Sequence, residues 1–256
     1  MNTVAIIQAR MGSSRLPGKV LADINGKTML ERIIERVASA QSIDSVVIAT
    51  TDAQGDDVLI EYVSRNFEYH IFRGSVDNVL SRFYKCAKFY SADVIVRITA
   101  DDPLKDAQII DRAVSLLNAT PTLDYCSNTL DPTYPEGLDV EVIRFSALER
   151  AYFESNLDSE KEHVTPYIWK NPQLFNLVNF KFERNLSHWR WTVDRPEDLE
   201  FMRSVFDKFK NNPLVSYQDV IAWLEKNPDI GLINSGVARN EGYKKSLQLE
   251  NNHAIR

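Results

Sequence analysis

Thr3-Val-Ala-Ile-Ile-Gln-Ala9 runs directly into Arg10-Met-Gly-Ser-Ser-Arg-Leu-Pro-Gly-Lys19, and the reading of that junction decides the fold. The first seven residues are a short, mainly apolar run that ends at a turn-rich loop, the pattern of a buried strand. Ser45 to Thr51, Tyr69 to Arg73 and Asp93 to Thr99 repeat it. Between them, Met29, Leu30, Ile33, Ile34 and Val37, and then Val79, Leu80, Phe83, Ala87 and Phe89, are spaced for one face of a helix. Strand, helix, strand in succession predicts an α/β fold with a doubly wound, mostly parallel sheet. Ligands of such sheets gather at the carboxyl ends of the strands, where the loop Arg10 to Lys19 leaves the first one.

The loop has the chemistry of an anion site. Gly12 and Gly18 allow close backbone approach, Ser13 and Ser14 carry hydroxyls, and Arg10, Arg15 and Lys19 bring three positive charges. It is not the phosphate loop of ATPases and GTPases. Five residues separate Gly12 from Gly18-Lys19, Val20 stands where a metal-binding hydroxyl is required, and Pro17 removes an N–H. The spaced glycines of a dinucleotide fold are also missing. A solvated surface turn is the plain alternative, which the placement after the first strand disfavours.

The chain has 256 residues, 44% of them apolar, enough for a full core in one domain. We read residues 1–235 as that domain, with a smaller acceptor or dimerisation subregion at about 123–190, and 236–256 as a polar tail without period and loosely ordered. After about residue 120 the pattern turns mixed. Leu123–Ser127, Leu138–Ile143, Phe175–Phe182 and Trp189–Val193 are strand candidates, with helices near 145–156, 159–170 and 217–225. A net charge of −6 argues against a surface built for nucleic acid or anionic membrane. Cys86 and Cys126 lack disulfide or zinc spacing. No apolar run reaches the roughly 20 residues of a membrane span, and the first strand follows the N-terminus without a leader. A cytoplasmic enzyme is expected.

Two acidic segments emerge after strands. Arg97-Ile-Thr-Ala-Asp-Asp-Pro-Leu104 brings Asp101 and Asp102 to the same sheet edge as the basic loop, and Trp191-Thr-Val-Asp-Arg-Pro-Glu-Asp-Leu199 does so for Asp194. Two carboxylates and a triphosphate make an oxygen-rich site for Mg2+, or for Mn2+. Aspartate before proline also reads as a helix cap; that suits Asp102, which directly precedes Pro103, while Asp101 and Asp194 are the metal candidates. Asp77 reads as a cap as well. Arg73 has little structural reason to stand at a strand's carboxyl end. In Pro135-Glu-Gly-Leu-Asp-Val-Glu-Val142, alternation places Asp139 and Glu141 on one strand face, solvated or functional. His163, beside Glu162, is a surface, structural or cleft residue. Tyr152, Tyr167, Trp169, Trp189 and Trp191 read as core.

The stretch Ile7-Gln-Ala-Arg-Met-Gly-Ser-Ser-Arg-Leu-Pro-Gly-Lys-Val-Leu21 resembles the signature loop of the cytidylyltransferases that activate acidic sugars, the CMP-Kdo and CMP-sialic acid synthetases. The resemblance runs from about residue 3 to 245 and is strongest to the SpsF-like branch. It implies a nucleotide-diphospho-sugar transferase-like fold. It also implies CTP contacts from Arg10, Ser13, Arg15 and Lys19, and metal binding by Asp101 and Asp194, which match the family's Ala-Asp-x-Pro and Asp-x-Pro-Glu-Asp-Leu elements. Asp102 departs from the branch, which usually has Cys there. Ala9, Met11, Gly12, Thr51, Asp52, Arg73, Thr99 and Ala100 complete the nucleotide set, with Arg10, Lys19, Asp101 and Asp194 as the catalytic group. Gly137, Asp139, Glu141 and His163 are assigned to the acceptor. The implied reaction is CMP transfer from CTP to an acidic small molecule by a homodimer. Transfer from another NTP to a sugar phosphate or phosphonate, nucleotide-sugar-dependent glycosyl transfer and a non-catalytic binding module are the alternatives.

Overall fold

The computed structural model describes residues 1–13 and 15–254; Ser14 lies outside them. Seven strands form one sheet: β1 (Thr3–Gln8), β2 (Ser45–Thr51), β3 (His70–Gly74), β4 (Val94–Thr99), β5 (Tyr125–Ser127), β6 (Glu141–Arg144) and β7 (Leu177–Asn179), in the order β3-β2-β1-β4-β6-β5-β7. Only β6 runs against its neighbours β4 and β5; the pairings among β3, β2, β1 and β4, and between β5 and β7, are parallel. The carboxyl ends of the parallel strands therefore share one edge with the start of β6.

β1 is central because it is apolar on both faces. Alternation along it sends Ala5 and Ile7 to one core, with α1 (Met29–Ala38), α4 (Ala107–Ala119) and α8 (Pro196–Lys208). It sends Val4 and Ile6 to the other, with α3 (Val79–Phe89) and α5 (Phe145–Glu154). Helix, sheet and helix thus form three layers, as expected of this fold class. On the sheet flank beyond β2, α2 (Asp57–Asn66) buries only Leu59 and Val63.

The second half departs from the pattern in instructive places. Trp189–Val193 is not a strand. Its backbone divides its bonds between two partners: Trp191 N–H donates to the Glu136 carbonyl (2.7 Å), and Val193 N–H to the Asp101 carbonyl (2.8 Å). Residues 138–140 fall outside β6 because Gly137, at φ 103°, turns the chain just before it. The predicted helix over 159–170 breaks at Val164 (φ 73°), ahead of Pro166, into α6 (Asp158–His163) and α7 (Pro166–Lys170). The C-terminal part includes α9 (Tyr217–Lys226), α10 (Pro228–Leu232) and α11 (Glu241–Ala254). The last is a helix where the composition suggested a loose tail, because its polar residues find partners on α6 and at the site.

Candidate active site

The basic loop is folded back on itself. The Met11 carbonyl accepts from Ser13 N (3.0 Å) and Gly18 N (3.1 Å), and Gly18 takes the left-handed conformation (φ 70°) that closes the turn. The Met11 N–H donates to buried Asp56 Oδ1 (2.7 Å). Asp56 also accepts from Thr50 (3.1 Å) and Thr51, so it pins the loop to the end of β2. Asp56 had no sequence signal beyond its place after a strand. Ser13 accepts from Leu16 N (3.3 Å) within the loop.

This fold-back delivers Lys19 to the point where the two acidic segments meet. Its Nζ donates to Asp101 Oδ2 (2.9 Å), Asp194 Oδ1 (2.8 Å) and the Val193 carbonyl (2.8 Å). Arg15 Nη2 lies 2.7 Å from Asp194 Oδ1. Burial, the largest influence, would lift the Asp101 carboxyl, but the Lys19 charge together with hydrogen bonds from Thr99 and Lys19 outweighs it and holds Asp101 below the usual carboxylate range. Asp194 is likewise held far down against burial, by Lys19 and Arg15. Burial would lower Lys19, and the two carboxylates raise it instead, so it remains an ammonium. The atoms that accept from that ammonium are all oxygens, from two carboxylates and a carbonyl, the ligand type that suits Mg2+ completed by substrate phosphates. The residues present therefore fit such an ion.

Behind Asp194 stands a buried network that the sequence did not single out. Arg190 donates to Asp194 Oδ2 (3.1 Å), to Glu136 Oε2 (2.9 Å) and twice to Asp198 (2.9 and 3.1 Å). Asp198, fully buried, also accepts from the backbone N–H of Asp194 (2.9 Å) and Arg195 (3.0 Å) and from Asn234 (2.9 Å). The only clue in the sequence was the Pro-Glu-Asp-Leu run that opens α8.

A cleft of about 410 Å3 opens beside Asp101 and Asp194 and reaches Gly137, Asp139, Glu141 and His163. All four acceptor candidates thus meet the two metal candidates in one cavity, together with Arg15 and Thr99. Glu141 is not on a solvated face: it is buried, paired with Arg97, and accepts from Tyr125 (2.6 Å) and Thr165 (2.6 Å). Asp139 pairs with Arg239. Asp102 does not cap a helix. It accepts from Thr99 (3.0 Å) and buried Lys105 (2.9 Å), and burial lifts its carboxyl to about 6; the cap of α4 is Asp106. Asn78, not Asp77, caps α3. Trp169 packs against the second core and also lines the cleft.

The other nucleotide candidates are not among the residues lining that cavity; they lie in the loop after β1 and at the ends of β1, β2, β3 and β4. Ala9 and Ala100 are buried beside the loop, Arg10 is exposed, Gly12 has open space around it, and Asp52 N–H bonds the Gly74 carbonyl (2.9 Å). Arg73 does have a structural reason for its position: it donates to the carbonyls of Thr51 (3.0 Å) and Ala53 (3.1 Å) and pairs with Asp57. Buried Arg82, which the sequence reading left without a role, neighbours Arg10 and is pushed down to about 10 by burial and by that like charge.

Gly137 supplies a direct test of the cleft wall. A Cβ there would sit 2.3 Å from the Trp191 carbonyl oxygen, on a left-handed backbone. Gly137→Ala is expected to destabilise the protein by roughly 2–4 kcal/mol, from overpacking and conformational strain together. A melting temperature equal to the parent's would show that the 136–140 turn is not held against Trp191.

A basic loop facing paired carboxylates across the carboxyl edge of a parallel sheet has the groups that nucleotidyl transfer uses. The family described as Cytidylyltransferase matches residues 4–227, and the chain belongs to that family of CTP-dependent enzymes. It is 32% identical over 241 residues to the spore coat polysaccharide biosynthesis protein SpsF of Bacillus subtilis, covering 88% of this chain and 94% of that one. A cytidylyltransferase structure from Leptospira borgpetersenii superposes with a TM-score of 0.87 at 34% identity, covering 93% of this chain and all of that one. A CMP:2-keto-3-deoxy-manno-octonic acid synthetase in complex with CTP shares the fold, with a TM-score of 0.62, 18% identity and coverage of 81% and 99%.

Proposed function

We propose that this enzyme transfers CMP from CTP to a hydroxyl of an acidic sugar, a Kdo-like or nonulosonic keto acid, for surface polysaccharide or glycoconjugate synthesis. The observation that carries the reading is Lys19, held by Asp101 and Asp194 where the basic loop meets the polar cleft. The acidic-sugar acceptor is supported by the neighbour that makes CMP-activated octonic acid, and the polysaccharide setting by the SpsF relative.

The triphosphate lies along the loop, with Arg10, Arg15 and Lys19 facing its phosphates. The acceptor occupies the cleft. Its hydroxyl oxygen attacks the α-phosphorus in line, the bond from that phosphorus to the oxygen bridging the β-phosphate breaks, pyrophosphate leaves and the hydroxyl proton is released to solvent. Positioning and charge stabilisation supply most of the catalysis in such transfers. Lys19 stays protonated and meets the charge that develops on the departing phosphates. Mg2+ held by Asp101 and Asp194 would neutralise α-phosphate and acceptor oxygens. A homodimer formed through the second half is part of the same proposal.

Assay of the four NTPs with a panel of sugar acids, read as pyrophosphate and as the mass of the nucleotide conjugate, tests the reaction. CTP with an acid should give both products, whereas a preference for a sugar phosphate would replace this reading. In the same assay Asp101→Asn should lose about 10²-fold or more in kcat and need more Mg2+ for half-maximal rate. Full turnover at the parent's Mg2+ requirement would remove Asp101 from the metal site.

A further inference from the structure

Helix α11 walls the cleft. Ser246 Oγ lies 3.0 Å from His163 Nε2 and donates to Glu162 Oε2 at 2.7 Å, Ser159 Oγ donates to Glu250 Oε2 at 2.9 Å, and the Asn240 N–H reaches Glu136 Oε1 at 3.1 Å. The first turn of the helix sets the Tyr243 ring edge-on to His163 (5.1 Å between centroids) and to Trp169 (5.7 Å). The Tyr243 hydroxyl is buried and, among the described residues, has no hydrogen-bond partner.

Arg97, in β4, is in a similar condition. It pairs with Glu141 through Nη1, while its Nε–H is buried and without a partner among the described residues. Both side chains line the same cleft. The other arginines lining it are committed to carboxylates alone: Arg15 to Asp194, and Arg190 to Glu136, Asp194 and Asp198. A buried donor left unpaired costs on the order of 1–3 kcal/mol, and native interiors seldom retain one. Two of them lining one cavity mark where a ligand's oxygens belong.

We propose that Arg97 and Tyr243 form the subsite for the carboxylate of the acceptor, Arg97 Nε and Tyr243 Oη donating to its oxygens, which makes the C-terminal helix part of the acceptor site. The inference rests on the acidic-sugar reading above and adds the residues that recognise the acid. A hydrogen bond with an ionised partner is roughly twice as strong as one between neutral groups, and a carboxylate supplies the charge for both donors. The rest of the polar lining complements a sugar: Glu136, Asp139 and Asp194 present oxygens that accept from hydroxyls. A polyhydroxylated monoacid suits a cleft in which two unpartnered donors stand beside several carboxylates.

Tyr243→Phe removes a single oxygen that no protein group uses, so the variant should melt no lower than the parent. Its KM for the acceptor should rise about tenfold, the loss of one hydrogen bond to a charged group, with KM for CTP unchanged. Arg97→Lys keeps a cation facing Glu141, removes the Nε–H and should raise the acceptor KM similarly. The probes are 3-deoxy-manno-octulosonate and N-acetylneuraminate, each beside its carboxamide, with the CMP conjugate measured by mass spectrometry. The parent should prefer acid to amide, and the double variant should not. If the parent converts one of the acids and both single variants keep its acceptor KM, the carboxylate subsite is wrong while the transfer reaction stands. A parent that converts neither acid overturns the acidic-sugar reading and this inference with it.

Discussion

Replacing Lys19 with methionine should lower kcat by about 10²–10³-fold, the usual loss when one preorganised donor to developing charge is removed. The side chain is nearly isosteric and Lys19 is 11% exposed, so the packing of the loop is largely kept and the change is electrostatic. A second signature separates this from general damage. Without the ammonium, Asp101 loses the cation it pairs with, while Asp194 keeps Arg15 and Arg190, and the variant should melt a few degrees lower in chelator. Mg2+ should then restore more stability to Lys19→Met than to the parent, since an ion that binds only the folded state stabilises it in proportion to its occupancy. A variant that turns over within tenfold of the parent would take Lys19 out of the chemistry. One that melts identically with and without Mg2+ would take the metal out of this pair of carboxylates.

The largest loss of stability is expected from Asp198→Ala. The substitution strips Arg190 of its bidentate partner and frees the N–H groups of Asp194 and Arg195. Breaking one side of a buried ion pair costs about 3–5 kcal/mol, which for a chain of this size lowers the melting temperature by on the order of 10 °C. The damage should spread to function, because Arg190 and the N-terminus of α8 hold Asp194 in place. Activity at low temperature, where the variant is folded, should show a raised Mg2+ requirement. Melting within 2 °C of the parent, on the scale of about 1 kcal/mol or less, would mean that Arg190 finds full compensation from Glu136 and Asp194.

The first half of the fold was legible because its signals are local. Four apolar runs and two helical spacings place β1 to β4, α1 and α3 to within a residue or two. The second half was less so. Trp189–Val193 has a strand's composition, but its N–H groups bond two separate segments, and whether an apolar run finds a neighbouring strand is not written within it. The 159–170 helix carried its own break at Pro166, which could have been used. Asp102 and Asp77 look like helix caps because aspartate beside a turn does; Asp106 and Asn78 take those positions because the helices start a few residues later.

What the sequence determined by itself is the central strand and the loop after it: consecutive apolar residues on β1 require cover on both faces, and the glycines and basic residues of 10–19 require a turn with anionic partners. What only the tertiary structure decided is which groups that loop meets. Lys19 joins Asp101 across 82 residues and Asp194 across 175, and Tyr243 reaches the cleft from the polar C-terminal segment. Such pairings follow from how strands and helices pack, not from any spacing along the chain. The same basic loop is therefore a cluster of charges and glycines in the sequence, and a partner of two distant carboxylates only once the chain has folded.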